Sequence, residues 1–432
     1  MGGTILLHHD NAMLRPDPSR TIARPFRPGW PAGHPDGGPS RSEVIIDRIL
    51  TLDDAGVDHQ LEAIKLSLDE RHRDIDKMLL RRFDEVADIC PDPAIVDDRR
   101  RRLIGGYFTE EYAFEAAALF NPSVVLHPDQ GGVAEGSLRF VMSLRGIGEG
   151  HVSSVSYRTG TWTPGGALEI DPVGRITQPP IVEESSDDGS GRTCVRLRFG
   201  ECQTVSETVV SPVLPSQRQG IEDVRLVRFT DDDGSITYYG TYTAFSGADA
   251  QSELLIGTGF DSFEMHQMSG DAVRAKGMAL FPRKIDGRYV MLGRQDSENI
   301  WLLTSDDVLT WNGGVKLIEP RYAWEYVQVG NCGSPIEIDE GWLVLTHGVG
   351  PVRNYCIGAC LLDRDDPSRV IARTPRPILE PSPDERDGYV PNVVYSCGAM
   401  AHGRDLLLPF GVADSFTAFA TAKIDDLLAA ME

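Results

Sequence analysis

Between Ser42 and Phe120 the apolar residues recur at three- and four-residue spacing with charges between them: Val44, Ile45 and Ile49, then Leu61, Ile64 and Leu68, then Ile75, Met78, Leu79, Phe83 and Val86. A 3.6-residue period marks helices that bury one stripe, so this stretch predicts a small helical bundle or insert. Ser42 and Asp53 or Asp54 have the side chains of N-caps, and Pro91 stops the third helix. Upstream, Pro28-Gly29-Trp30-Pro31 and Gly37-Gly38-Pro39 mark a loop over 28–40. It divides an N-terminal segment, 1–40, from the helical region, 41–120.

After Asn121-Pro122 the pattern changes to short apolar runs bounded by Gly, Asp and Pro, which is an all-β texture. Five times an apolar run, in four cases ending on a polar residue, is followed by a second run, and an acidic turn closes several of these pairs. Leu138–Arg145 precedes Val152–Tyr157, and Thr237–Tyr242 precedes Leu254–Gly257. Tyr289–Arg294 precedes Ile300–Thr304, Trp342–His347 precedes Cys356–Leu361, and Leu406–Gly411 precedes Thr417–Ala420. Tyr242, Arg294 and His347 end successive strands at intervals of roughly fifty residues, the period of a propeller blade. The fold class predicted is all-β: a five-bladed β-propeller over 121–432 with an N-terminal α-helical insert or extension. A sandwich with long loops is the alternative. In a propeller the polar strand ends Arg145, Arg294, His347 and Asp414 would converge on one axial cavity.

Charge narrows the choice of partner. The 432 residues carry a formal net charge of -23, which argues against nucleic acid and against an anionic membrane surface, since both attract clustered Lys and Arg. The seven cysteines are scattered without a CxxC pair, suggesting neither a disulfide framework nor a zinc site, and read as thiols in a reducing cytoplasm. Ile5-Leu6-Leu7 runs straight into His8-His9-Asp10, so a secretory h-region is not expected, and no apolar run reaches the ~20 residues of a membrane span. The His8-His9-Asp10 cluster is assigned no metal.

The chemistry is concentrated in a few segments. Gly220-Ile221-Glu222-Asp223-Val224-Arg225 sets two acids and a cation at a strand entrance, where a carboxylate can be aimed and its pKa tuned. Lys276-Gly277-Met278-Ala279-Leu280-Phe281-Pro282, Gly341-Trp342-Leu343 with Thr346-His347-Gly348, Pro391-Asn392-Val393-Val394 and Gly411-Val412-Ala413-Asp414 follow in that order. Together these resemble the signature segments of glycoside hydrolase family 130, the β-mannoside phosphorylases and β-1,2-mannosidases, over roughly Asn121 to the C-terminus. The resemblance implies a five-bladed propeller acting on β-linked mannosides. It implies Asp223 as the proton donor, acting through a hydroxyl of the bound mannose. Lys276, Arg294 and His347 would face phosphate, and Asn121, Arg145, Glu222, Arg225, Asp296 and Asp414 would bind the sugar. Val224 stands where many members have Pro, Thr346 where an aromatic is common, and the helical region matches only a longer subgroup.

Inversion needs an acid for the leaving oxygen and an attacker on the opposite face of the sugar. With phosphate as attacker, cations such as Arg145, Arg225, Lys276, Arg294 and His347 replace the second carboxylate. The reading is therefore an inverting β-mannoside phosphorylase that releases α-mannose 1-phosphate. It is a cytoplasmic enzyme of carbohydrate metabolism with no cofactor and with inorganic phosphate as co-substrate. An inverting β-1,2-mannosidase is the first alternative, with water activated by an acid such as Glu298 or Glu325; Asp296 is a further acid in that stretch. A non-catalytic carbohydrate-binding propeller is the second. Trp324, Tyr326 and Tyr389 are candidates for stacking on sugar rings. The helical region offers a surface for a homo-oligomer. Each residue has a plainer reading: Asp223 and Arg225 as a surface ion pair, Lys276 as a snorkelling lysine, His347 as a core histidine, and Asp414 as a turn cap.

Overall fold

A computed structural model describes residues 7–31, 38–187, 192–200, 202–383 and 387–432, with the side chains of 184–187 left aside. Ile5-Leu6 and Gly37, both used above, lie outside the described residues. The chain divides into two compact units. One comprises Met1–Pro18, Phe114–Val173 and Pro180–Glu432, and the other Ser19–Ala113 with Gly174–Pro179.

The smaller unit holds the expected helices: α1 (Arg41–Leu50), α2 (Asp54–Leu68), α3 (Ile75–Asp84) and α4 (Asp98–Tyr107). Asp53 caps α2 through the Gly56 N–H, as its position predicts. Helix α1 is capped by Ser40, not Ser42, in a reciprocal capping box with Glu43. Helix α3 ends before Pro91 is reached, and a short 3-10 turn, Ala87–Ile89, intervenes. The periodic residues Ile49, Leu61 and Phe83 pack with Leu103, Ile104 and Phe108 into one buried cluster. The helical apolar stripe is thus largely consumed within its own unit. Helix gives way to strand at Thr109, ahead of the Asn121-Pro122 break in the sequence pattern.

The larger unit is mostly β and falls into five consecutive antiparallel groups, the first two of which are joined into one eleven-stranded sheet by a parallel pairing of Ser153 with Gly220. The first runs Ala118–Leu126, Leu138–Ile147, Ser153–Trp162, Leu168–Ile170. The second runs Gly220–Thr230, Ile236–Phe245, Ala250–Gly257, Ser262–Gln267. A hairpin of Ile181–Asp187 and Thr193–Arg198 extends its outer edge. The third runs Ala279–Leu280, Tyr289–Gly293, Ile300–Ser305, Val315–Ile318. The fourth runs Gln328–Asn331, Gly341–Val349, Tyr355–Leu362, Val370–Arg373. The fifth runs Val394–Tyr395, Asp405–Val412, Phe416–Lys423, and its outer strand is His8–Leu14 from the N-terminal segment.

Hydrogen bonds link each group to the next. The Leu226 N–H donates to Ser123 Oγ (2.9 Å) and Thr241 Oγ1 to the Met278 carbonyl (2.6 Å). The Val329 N–H donates to the Glu298 carbonyl and the Tyr355 N–H to that of Asn392, both at 2.9 Å. The Leu119 N–H donates to the Ser415 carbonyl (3.0 Å), linking the fifth group to the first. Between groups lie apolar layers. Phe281, Val290 and Leu292 meet Val329, Trp342 and Val344, with the Phe281 and Trp342 rings edge to face at 5.0 Å. Each such side chain contributes roughly 1.5–3 kcal/mol on burial. The inner strands are thereby held firmly enough to present polar residues to a common space.

Candidate active site

A cavity of about 350 Å³ receives residues from all five groups: Asn121 and Arg145 from the first, Glu222 and Asp223 from the second, and Lys276, Arg294 and Ser297 from the third. Gln328, Arg353 and Tyr355 come from the fourth, and Val390, Val393, Tyr395 and Asp414 from the fifth.

Backbone geometry explains how the acids reach it. In a regular strand Glu222 and Asp223 would face opposite sides. The register of Gly220–Thr230 against Ile236–Phe245 slips between Glu222 and Arg225, and Asp223 has φ 54°, so both carboxylates line the cavity. The first group repeats the device: the register slips between Phe120 and Ser123, with Asn121 at φ 50°. The two bulges meet where Asn121 Nδ2 donates to Asp223 Oδ1 at 2.8 Å. Of the twelve described non-glycine residues with left-handed backbone, five line this cavity: Asn121, Asp223, Ser297, Arg353 and Asp414. Each such conformation costs of order 1–3 kcal/mol, and strain of this kind clusters where side chains must be aimed.

Around Asp223 the charges are matched. Arg145 reaches Glu222 Oε1 (2.8 Å) through Nη2 and Asp223 Oδ1 (3.4 Å) through Nη1, and Lys276 Nζ reaches Glu222 Oε2 at 2.7 Å. Burial pushes the Asp223 carboxyl up, but Arg145, the Asn121 amide, Arg225 and Lys276 together outweigh it and hold the group below its ordinary value. Asp414 goes the other way: burial and the neighbouring Asp223 carboxylate push it up to about 6.

Around Arg294 the charges are not matched. Its Nη1 donates to His347 Nε2 at 3.1 Å. No carboxylate of the described residues lies within ion-pair distance of Arg294 or Arg353. Room for the Arg294 side chain is kept by two glycines: a Cβ on Gly277 would sit 2.6 Å from Arg294 Nε, and one on Gly330 2.6 Å from its Cδ. Gly277 also has φ +88°, which side chains rarely adopt.

Asn121, Arg145, Glu222, Asp223, Lys276, Arg294 and Asp414 are therefore brought together as the sequence reading expects. Three residues stand elsewhere. His347 is fully buried behind Arg294, and burial, with the Arg294 and Arg225 charges, holds its pKa well below the ordinary value. It is a neutral acceptor that orients Arg294, not one of the cations. Arg225 lies under the cavity, donating to the carbonyls of Gly277 and Asn331 (2.8 Å each) and to Tyr395 Oη (2.7 Å), so it braces three segments and does not line the pocket. Asp296 is exposed and caps its own turn through the Glu298 and Asn299 N–H groups, which with the Asn299 amide hold it at about 2 against the effect of burial.

Neither acid considered as a hydrolytic base lines the cavity. Glu298 is exposed, and Glu325 is fully buried against Arg373 at 2.7 Å. The sequence reading passes over Arg353, Ser297, Gln328, Tyr355 and Tyr395. Arg353 sits in a Gly-Pro-initiated turn, Gly350-Pro351-Val352-Arg353, and Tyr395 directly follows the quoted Pro391–Val394 segment. Both signals were within reach.

The family model described as beta-1,4-mannooligosaccharide phosphorylase matches residues 196–432. A 1,2-beta-oligomannan phosphorylase of Thermoanaerobacter sp. (strain X514) is 35% identical over 228 residues, 52% of this chain and 75% of that protein. A beta-1,2-mannobiose phosphorylase of Listeria innocua serovar 6a is 34% identical over 223 residues, 50% of this chain and 61% of that protein. Among solved structures, one described as a putative glycoside hydrolase from Bacteroides ovatus superposes with a TM-score of 0.54 at 20% identity, covering 74% of this chain and 90% of that one, a likeness of fold.

Proposed function

Since the chain belongs to glycoside hydrolase family 130, we propose that it is an inverting β-mannoside phosphorylase whose chemistry takes place in the cavity described above. A phosphate oxygen attacks the anomeric carbon of a terminal β-mannosyl unit and the bond from that carbon to the leaving sugar's oxygen breaks. That oxygen takes up a proton that originates on Asp223 and passes through a mannose hydroxyl, and the product is α-mannose 1-phosphate. The observation that carries this reading is the cavity cation Arg294, which has no carboxylate within ion-pair distance among the described residues. Arg294 is half-buried with its Nε lacking a hydrogen-bond partner among the described residues, and an anion would complete it. A hydrolase would instead need a base, and Glu298 and Glu325 are both away from the cavity.

The depressed Asp223 pKa also fits phosphate as the partner. Arg145, the Asn121 amide, Arg225 and Lys276 hold the carboxyl down. A phosphate dianion beside them cancels part of that field, so the acid becomes a better proton carrier once the nucleophile is bound. Asn121, Arg145, Glu222 and Asp414 bind mannose hydroxyls in this account, and Lys276 and Arg294 bind phosphate. The exposed rings of Tyr326 and Tyr389, each within two residues of a cavity-lining side chain, contact the leaving sugar. The same account takes the five strand groups as the blades of a propeller, 114–432 with the His8–Leu14 strand. Their hydrogen bonds from each group to the next, the fifth to the first included, support it. A cytoplasmic location is part of the proposal.

The test is to incubate purified protein with β-1,2-mannobiose, with and without inorganic phosphate, and to separate mannose 1-phosphate from mannose. Mannose 1-phosphate formed only with phosphate is the expected result. Free mannose without phosphate overturns it in favour of the hydrolase.

A further inference from the structure

The hairpin that extends the second group places three metal-ligating side chains together on its outer face. In the pairing of Thr193–Arg198 with Ser262–Gln267, Cys194 stands directly opposite His266, and Glu264 lies two residues before His266. Strand alternation turns Val195 and Met265 inward, where they are 3% and 0% exposed, so Cys194, Glu264 and His266 share the other face. Their donor atoms all lie within 4.8 Å of one another.

One ring nitrogen is approached by both other groups. His266 Nε2 is 3.6 Å from Cys194 Sγ and 3.3 Å from Glu264 Oε2. An imidazole nitrogen has a single in-plane site, which can hold one proton or one lone pair but cannot satisfy a thiol and a carboxylate together. A cation at the shared point satisfies all three. Tetrahedral zinc, with Zn–S about 2.3 Å and Zn–N and Zn–O about 2.0–2.2 Å, requires S···N near ~3.5 Å and N···O near ~3.3 Å. The observed separations match both. Arg196 occupies the other carboxylate oxygen, Oε1, at 2.7 Å, which leaves Oε2 for the ion.

We propose that Cys194, Glu264 and His266 form a three-ligand site for a zinc-class divalent cation, one that the Cys spacing in the sequence does not suggest. Binding exchanges the thiol proton for the metal: the Cys194 S–H bond breaks, the S–metal bond forms, and one proton is released to solvent. A water fills the fourth position. None of the three residues lines the cavity, so the ion clips the hairpin to the strand Ser262–Gln267 and takes no part in phosphorolysis.

The experiment titrates the chelator-treated full-length protein with cobalt(II), following the thiolate-to-cobalt charge-transfer band and the tetrahedral d–d bands. One equivalent should bind with both signatures, zinc should displace it, and the melting temperature should rise. Cys194→Ser should abolish the charge-transfer band, and His266→Gln should weaken binding by at least about tenfold. Melting curves of both variants without metal confirm that they fold. If Cys194→Ser fails to fold, His266→Gln decides. Absence of a charge-transfer band in the parent, or an unchanged band in a folded variant, overturns the site. Phosphorolysis by the metal-free protein is expected to be undiminished, so this test and the mannobiose test fail independently.

Discussion

The residues around Asp223 and those around Arg294 share one cavity but treat charge in opposite ways. Glu222, Asp223 and Arg145 neutralise one another through ion pairs and Asn121 adds a neutral donor, while Lys276, paired with Glu222, is the member of this group proposed to serve phosphate as well. Arg294 has only a neutral imidazole for company, and Arg353 has no carboxylate partner among the described residues. A self-compensated group suits an uncharged, hydroxyl-rich ligand, because it offers directional donors and acceptors without a net field to satisfy. An uncompensated group suits an anion. On the function proposed above, the contrast would divide the labour between sugar and phosphate.

The largest effect that would break this division comes from Asp223→Asn. It should lower phosphorolysis by about 10²–10⁴-fold, the usual span for removing a general acid, in a variant that a melting curve shows to be folded. Steady-state assay with mannobiose and phosphate checks it, and a tenfold or smaller loss would move the proton source elsewhere. Next comes Arg294→Met. A charge-assisted hydrogen bond of roughly 1.5–3 kcal/mol corresponds to a rise of about 10- to 100-fold in KM for phosphate, with KM for mannobiose nearly constant. If the mannobiose KM moves instead, the two groups have been assigned the wrong way round.

Glu325→Gln sharpens the comparison from outside the cavity. It leaves the partly buried Arg373 beside an uncharged partner, so it should destabilise by about 3 kcal/mol at most in denaturant unfolding while leaving kcat within about twofold. Lost turnover in the folded variant would revive the hydrolytic base.

The smallest effect concerns pH. Asp414 has a folded pKa of about 6, above its ordinary 3.8. Between those values the folded state binds more protons than the unfolded one, so stability falls as pH rises through this window and is level above it. Asp414→Asn should flatten that slope and make the variant more stable at pH 7.5 relative to pH 4, by on the order of 2 kcal/mol at most. Thermal melts from pH 4 to 8 measure it. An unchanged slope would show that Asp414 is ionised throughout.

Much of this was legible in the residues. The apolar runs and their near-equal spacing give the strands, and the Glu-Asp-x-Arg, Lys-Gly and Gly-Val-Ala-Asp segments give most of the cavity. What was not legible depends on burial and on bulges. His347 carries the expected residue type in the expected place, yet full burial beside Arg294 reverses its charge state. Arg225 follows a bulge that turns Asp223 into the cavity while Arg225 braces the carbonyls beneath it. Arg353 was within reach through its Gly350-Pro351 turn, but the left-handed backbone of Val352 and Arg353 has no periodic pattern to betray it. The cross-strand partnership of Cys194 with His266 needs a register that links positions 72 residues apart in sequence.

The fifth group of strands is completed by His8–Leu14, whose His8 pairs with Thr421. Such a contact spans nearly the whole sequence, and closing so long a loop is an entropic cost met before any reward. Completion of this sheet is thus expected among the slow steps of refolding. A chain lacking residues 8–14 would leave Phe416–Lys423 as a bare edge, open to pairing with other molecules. Loss of that one strand should therefore register first as aggregation during refolding, even though it is remote in sequence from Asp414.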